Sequence, residues 1–259
     1  LTLPMVTVIT PNDTTAILEY DSLTVSWIAT DNMALDSTFL FLSNDPEIEE
    51  YVMVEALSGS IEQKNIYIPF GVTDQALIKI VAKDIYENEG IGTSGYFSIL
   101  DNTPPSVQID NVENAYIGDL ISLNWTSEDN TELEGHILSY SVNDMIETTL
   151  IDTLDGSATR FDWIVPNVVT DSARIFIETY EAAGLHTLDT TSIFSISDGI
   201  PPDILVLSPS ISTSIGEYSD LAISWFAEDN IELDSIEIFY SNNVGIELDL
   251  IGVVDGNTS

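Results

Sequence analysis

The sequence predicts an all-β chain of tandem seven-stranded β-sandwiches, the third incomplete. Three observations predict it: a repeat of domain size, apolar residues that alternate with polar ones, and turn residues at short intervals with no helical period. "SWIATDNMALDS" begins at Ser26, "NWTSEDNTELEG" at Asn124 and "SWFAEDNIELDS" at Ser224. Trp27, Trp125 and Trp225 align, as do Asp31-Asn32, Asp129-Asn130 and Asp229-Asn230. The period of about 97–101 residues is that of a domain rather than of a solenoid repeat.

Each element follows from the alignment in chain order. Pro4-Met5-Val6-Thr7-Val8 aligns with Pro105-Ser106-Val107-Gln108-Ile109 and Pro202-Asp203-Ile204-Leu205-Val206, the first strand of each repeat. In the second strand Ile121, Leu123 and Trp125 alternate with Ser122, Asn124 and Thr126. That period of 2 puts one face in a core and makes the Trp its anchor. The late strand repeats too: "IPFGVTDQALIKIVAKD" (68–84) matches "VPNVVTDSARIFIETYE" (165–181) without a gap. In the second repeat the strands are expected at 106–111, 119–127, 135–142, 147–153, 158–165, 173–181 and 189–197. Seven short strands in about 100 residues read as a sandwich. Pro104-Pro105 and Pro201-Pro202 stop strand pairing, since proline has no N–H. They divide the chain into domains 1–103, 104–200 and 201–259, joined by short stiff linkers into a rod.

The Pro-Pro start, the Ser-Trp-x-Ala-x-Asp-Asn strand and loop, and the late "VAKD" strand resemble tandem immunoglobulin-like or fibronectin-III-like repeats of prokaryotic surface or secreted proteins. The resemblance covers the whole chain and implies a fold more than a function, because this sandwich hosts many roles. The sequence departs from the usual pattern after the late acid, where it reads "YENEG" at 86–90 and "AAGLH" at 182–186.

Charge narrows the partners. There are 44 acidic residues against five basic ones, Lys64, Lys79, Lys83, Arg160 and Arg174, for a formal net charge of −39. Such a polyanion repels phosphate backbones and anionic headgroups, which argues against nucleic acid and lipid surfaces. It suits a saline or calcium-rich medium outside the cell, where self-repulsion is screened. The chain has no cysteine, so disulfides and thiolate metal sites are excluded. No apolar stretch reaches the ~20 residues of a membrane-spanning helix.

The repeated Asp-Asn has two readings. It is a good turn-former, because both side chains bond back to the backbone. In a sandwich of this topology the loop also lies at the same end as the loop between the last two strands, facing the preceding linker. That gathers Glu128, Asp129, Asn130 and Glu181 near Asp101 and Asn102, and Glu228, Asp229 and Asn230 near Asp198; Asp31, Asn32 and Asp84 form the same group in the first repeat. Converging carboxylates are what Ca²⁺ requires, six to eight hard oxygens at about 2.3–2.6 Å.

Catalytic signals are lacking. His136 and His186 stand in no metal-binding spacing, and there is no Gly-x-Ser-x-Gly elbow. His136 aligns with Ile236 and is expected at the rim of a core. Phe226 and Phe239 fall on the outward phase of their strands. The third repeat follows the pattern through a strand near 246–254 and lacks counterparts of "ATRFDWIVP" and the two final strands. Trp225 is expected to be buried like Trp27 and Trp125, yet Ile223, Trp225, Ile236 and Ile238 would lack part of their cover. The expectation is a segment of a longer protein, or a sandwich completed by strands of another chain. The functional expectation is a non-enzymatic extracellular structural or adhesive repeat segment, a surface-layer, stalk or filament building block stiffened by Ca²⁺. Its partners would be neighbouring domains, copies of itself or cell-surface components. The alternative is an accessory spacer or carbohydrate-binding region of a secreted enzyme.

Overall fold

The computed structural model describes residues 2–45, 50–69, 71–242 and 247–257. Among them all regular structure is β-strand, and no helix is long and apolar enough to cross a membrane. The chain divides into two compact units. The first is Leu1–Ser106 with Glu128–Glu134 and Thr179–Thr187; the second is Val107–Ser127 with Gly135–Glu178 and Leu188–Ser259.

The first repeat contains β1 (Met5–Thr10), β2 (Ala16–Leu18), β3 (Ser22–Thr30), β4 (Leu35–Ser43), β5 (Val52–Ser58), β6 (Gln63–Tyr67), β7 (Thr73–Asp84), β8 (Glu89–Thr93) and β9 (Phe97–Leu100). One sheet runs β1-β3-β6; the other runs β2-β9-β7-β4-β5, with β8 also against β7. All pairings are antiparallel except β2 with β9. The alternation read from the sequence is the alternation of burial. Leu23, Val25 and Trp27 of β3 meet Leu40 and Leu42 of β4, Ile78 and Ile80 of β7, and Phe97 and Ile99 of β9. Trp27 is 1 % exposed.

The second repeat copies this plan in β10 (Ser106–Ile109), β11 (Ala115–Tyr116), β12 (Leu120–Glu128), β13 (Leu133–Ser141), β14 (Thr149–Asp155), β15 (Arg160–Ile164), β16 (Thr170–Glu181), β17 (His186–Thr190) and β18 (Phe194–Ser197). The sheets are β10-β12-β15 and β11-β18-β16-β13-β14, with β17 against β16. Trp125, 3 % exposed, sits in a core with Leu123, Leu138, Trp163, Ile175, Ile177 and Phe194. These are tandem immunoglobulin-like or fibronectin-III-like sandwiches. His136 is a correction: it is fully buried rather than at a rim, and its ring meets Trp125 edge-on at 5.4 Å. The first repeat places Thr38, also fully buried, at that position.

Two elements differ from the sequence expectation. The strand expected at 189–197 is two, because a hydroxyl interrupts the ladder. Ile175 N donates to Thr191 Oγ1 at 3.1 Å, while Thr191 N donates to the Ile175 carbonyl at 3.0 Å. Ser94 does the same with Ile78 at 3.0 and 2.9 Å. A side-chain oxygen thus takes the place of a backbone carbonyl, and the strand leaves the ladder there. The short β2 and β11 were not expected, since two or three residues carry no readable period.

The third repeat contains β19 (Asp203–Ser208), β20 (Ser224–Glu228), β21 (Ser235–Tyr240) and β22 (Asp249–Asp255). They form two two-stranded sheets, β19-β20 and β21-β22. No described strand stands where β6, β7 and β9 stand in the first repeat. Trp225 is therefore only partly covered, against the expectation of burial; Ile236 is buried, and Ile223 and Ile238 are partly covered. These side chains line an open apolar trough of about 660 Å³. Phe226 and Phe239 are exposed, and Phe239 is one of the residues lining the trough.

Candidate metal centre

Each Asp-Asn loop begins as a turn. Asp31 Oδ2 accepts from Met33 N at 2.8 Å, Asp129 Oδ2 from Thr131 N at 3.0 Å, and Asp229 Oδ2 from Ile231 N at 3.1 Å. Turn chemistry thus accounts for one oxygen in each loop. The surroundings of the other oxygen distinguish the three.

In the first unit, Asp101 follows β9, Asp129 follows β12 and Glu181 ends β16. One carboxylate oxygen from each lies within 4.8 Å of the other two. Asp101 is 8 % exposed, Glu181 is 2 % exposed and Asp129 is half-buried. This is the one such acidic group among the described residues. Each of the three keeps an oxygen with no donor: Asp101 Oδ2, Asp129 Oδ1 and Glu181 Oε1. A buried carboxylate oxygen without a donor carries its full desolvation penalty.

Local donors do not cover the demand. Thr131 Oγ1 lies 2.6 Å from Asp129 Oδ2 and 2.5 Å from Glu181 Oε2, and its single proton serves one of them at a time. Asp101 Oδ1 accepts from Thr103 N at 2.9 Å and Asn130 Nδ2 at 3.3 Å. A fourth acid, Glu19, is fully buried beside them. Its oxygens are satisfied, Oε1 by Asn130 Nδ2 at 3.1 Å and by the Thr103 hydroxyl, Oε2 by Gly71 N at 3.1 Å. Glu19 therefore positions Asn130 and Thr103, and the other three carboxylates are left with open valence. The sequence reading missed Glu19. Its signal is an acid at a position where the second repeat has Ile117: Glu19 N bonds the Leu100 carbonyl as Ile117 N bonds that of Ser197.

Among the described residues no lysine or arginine pairs with these acids. Lys64 pairs with Glu55, Lys83 with Glu87 and Glu89, Arg160 with Asp162 and Arg174 with Asp144. Lys79 lies over the rings of Phe41 and Tyr51. Burial pushes the Glu181 carboxyl above the usual carboxylate range, and the neighbouring charges of Asp101 and Asp129 push it the same way. For Asp101 burial also acts upward, but donation from Thr103, Thr131, Asn130 and the Glu181 carboxyl, which shares its proton with Asp101, outweighs it, and the group is held low. A proton on Glu181 or a cation among the three can relieve the repulsion. Chemically the arrangement offers hard, anionic oxygen donors from three separate segments, the donor type of Ca²⁺ and Mg²⁺.

The other expected positions are not gathered in this way. Asp84 stands where Glu181 stands, but its oxygens are taken: Oδ1 accepts from Tyr86 N at 2.8 Å and Asn88 N at 2.9 Å, and Oδ2 from Asn88 Nδ2 at 2.7 Å. Asn32, with its amide nitrogen turned to Asp31, donates to both oxygens at 3.2 and 3.3 Å. In the second unit Asp198 Oδ1 accepts from Ile200 N at 3.1 Å and Asn230 Nδ2 at 3.3 Å, and Asn230 also reaches Asn167 Oδ1 at 3.1 Å. Asp229 Oδ1 has no donor there, yet no third acid joins it. The Glu128 and Glu228 side chains are exposed. Asn102 approaches the Glu19 carbonyl at 3.5 Å.

No protein-family model matches the chain, and no curated protein matches it. Among solved structures it is similar to the FN1–FN3 domains of chicken CNTN1, at 13 % identity and a TM-score of 0.44, covering 98 % of this chain and 87 % of that one. It is similar to a tetra-tandem repeat in the extending region of a large adhesion protein, at 12 % identity and a TM-score of 0.37 over 98 % of this chain, which spans 63 % of that one. A third is the fibronectin(III)-like modules of Clostridium thermocellum CbhA, at 13 % identity and a TM-score of 0.30, covering 75 % of this chain and 94 % of that one.

Proposed function

We propose that the chain is a non-enzymatic structural or adhesive repeat segment that works outside the cell, its sandwiches serving as spacers or building blocks. One observation carries this reading: the second repeat restates the first strand for strand, even to the hydroxyl at Ser94 and Thr191 that splits the last strand. What recurs is scaffold. The net charge of −39 fits a saline exterior. Its partners on this reading are neighbouring domains, further copies, or components of a cell surface.

Pulling single molecules from both ends tests the reading. Two discrete unfolding events are expected, each releasing roughly 30 nm, since about 90 residues extend at ~3.6 Å each. A smooth extension without events would remove the spacer role. Saturable retention on an insoluble polysaccharide would replace it with a carbohydrate-binding one.

A further inference from the structure

We propose that Asp101, Asp129 and Glu181 bind one Ca²⁺ ion, in a site held in shape by Glu19 and Asn130. The inference goes beyond the spacer reading and does not depend on it. Two independent observations carry it. The first is convergence: oxygens of three carboxylates from β9's end, the β12–β13 loop and β16's end lie within 4.8 Å of one another. The second is that each residue keeps an oxygen without a donor, and two of the three residues are more than nine-tenths buried. Acids on a solvated surface can also converge, but water satisfies their oxygens.

Charge and size select the ion. Three carboxylates meet no Lys or Arg, all five of which are engaged elsewhere. Ligands about 2.3–2.6 Å from one ion can stand up to about 5 Å apart, so oxygens that all lie within 4.8 Å of one another can share one Ca²⁺. Mg²⁺ demands near-ideal octahedral geometry at about 2.0–2.1 Å and keeps more of its waters, which buried Asp101 and Glu181 do not favour. Glu19 completes the design from outside the ligand set. By engaging Asn130 Nδ2 and the Thr103 hydroxyl, it fixes the loops that carry Asp129 and Asp101.

Calorimetric titration of the whole chain, stripped of metal and held at pH 8, decides the matter. CaCl₂ should bind at one ion per chain and raise the melting temperature. MgCl₂ should bind at least tenfold more weakly. Glu181→Gln and Asp101→Asn should each weaken Ca²⁺ binding at least tenfold, whereas Asp84→Asn and Asp229→Asn should leave it unchanged. Removing a charge should not lower the metal-free melting temperature of Glu181→Gln. If either buried variant does not fold, the half-exposed Asp129→Asn gives the same reading. The proposal is overturned by no saturable binding up to about 10 mM Ca²⁺, beyond the range of weak extracellular modules. Equal responses to Ca²⁺ and Mg²⁺, or full affinity in the site variants, would also overturn it. The pulling experiment can fail while this one succeeds, and the reverse.

Discussion

Asp84 and Glu181 end equivalent strands, β7 and β16, beside equivalent Asp-Asn loops, and their carboxylates meet opposite fates. Asp84 is followed by "IYENEG", and Asn88 folds back to give it a backbone and a side-chain donor. Glu181 is followed by "AAGLHT". The backbone turn is kept, since Glu181 N bonds the Leu185 carbonyl as Asp84 N bonds that of Asn88, but Leu185 stands where Asn88 stands and has no side-chain donor. The same position thus closes a hairpin in one repeat and is left open toward Asp101 and Asp129 in the other. An acid's motif says where the carboxylate is; its donors say whether any affinity remains.

The largest expected effect tests whether the difference is confined to these loops. Trp27→Ala and Trp125→Ala should each cost about 3–5 kcal/mol in chemical denaturation, like other large core aromatics. Unequal losses would show that the repeats differ in their cores as well as at their ends. Next comes a reversal of sign. In metal-free buffer Asp84→Ala should lower the melting temperature, because it leaves the Tyr86 and Asn88 donors unanswered. Glu181→Gln, which keeps the side chain's volume, should leave it unchanged or raise it, because it removes repulsion. Two variants that both destabilise would break the comparison. Transplanting the closed turn sharpens it further: Glu181→Asp with Leu185→Asn should stabilise the metal-free protein and weaken its Ca²⁺ response.

The smallest effect is in pH dependence. Burial acts to raise Asp84's pKa, but the bonds from Asn88 and Tyr86 outweigh it and hold the group low. Its stabilisation is therefore present above the unfolded carboxylate range and is lost as pH falls through the folded value. Glu181 is raised by burial first, so its contribution is present below the unfolded range and is lost as pH rises through the folded value. Metal-free melts from pH 3 to 8 should show Asp84→Asn flattening the acid side and Glu181→Gln the rise side. Slopes changed in the same direction would contradict the assignment.

Much of the fold was legible because burial follows period. Ile121, Leu123 and Trp125 could be assigned to one face from alternation alone, and β12 was placed to within a residue. Hydrogen bonds that replace period were not legible. Thr191 reads as one more strand residue until its hydroxyl is seen to accept from Ile175 N. Of the candidate site, the acids at 101, 129 and 181 and the Asn130 beside them were named from the loops. Their separation from Asp31, Asp84, Asp198 and Asp229 required knowing each oxygen's donors, which depend on contacts far apart in sequence. Glu19 was overlooked because it lies in a stretch read for strands; aligned with Ile117, it is an acid in an apolar slot.

The unlike residues at one buried position of β4 and β13 bear on whether those strands could change places. β4 and β13 have nearly interchangeable patterns, and strands of adjacent similar repeats are prone to exchange places during folding. Thr38 and His136 hold the same fully buried position and differ in size by most of a ring. Exchanged strands would force an imidazole into a threonine's space in one sandwich and leave a void beside Trp125 in the other. Overpacking and cavities each cost on the order of 1–3 kcal/mol or more, so a single mismatched pair would penalise such an exchange in both sandwiches.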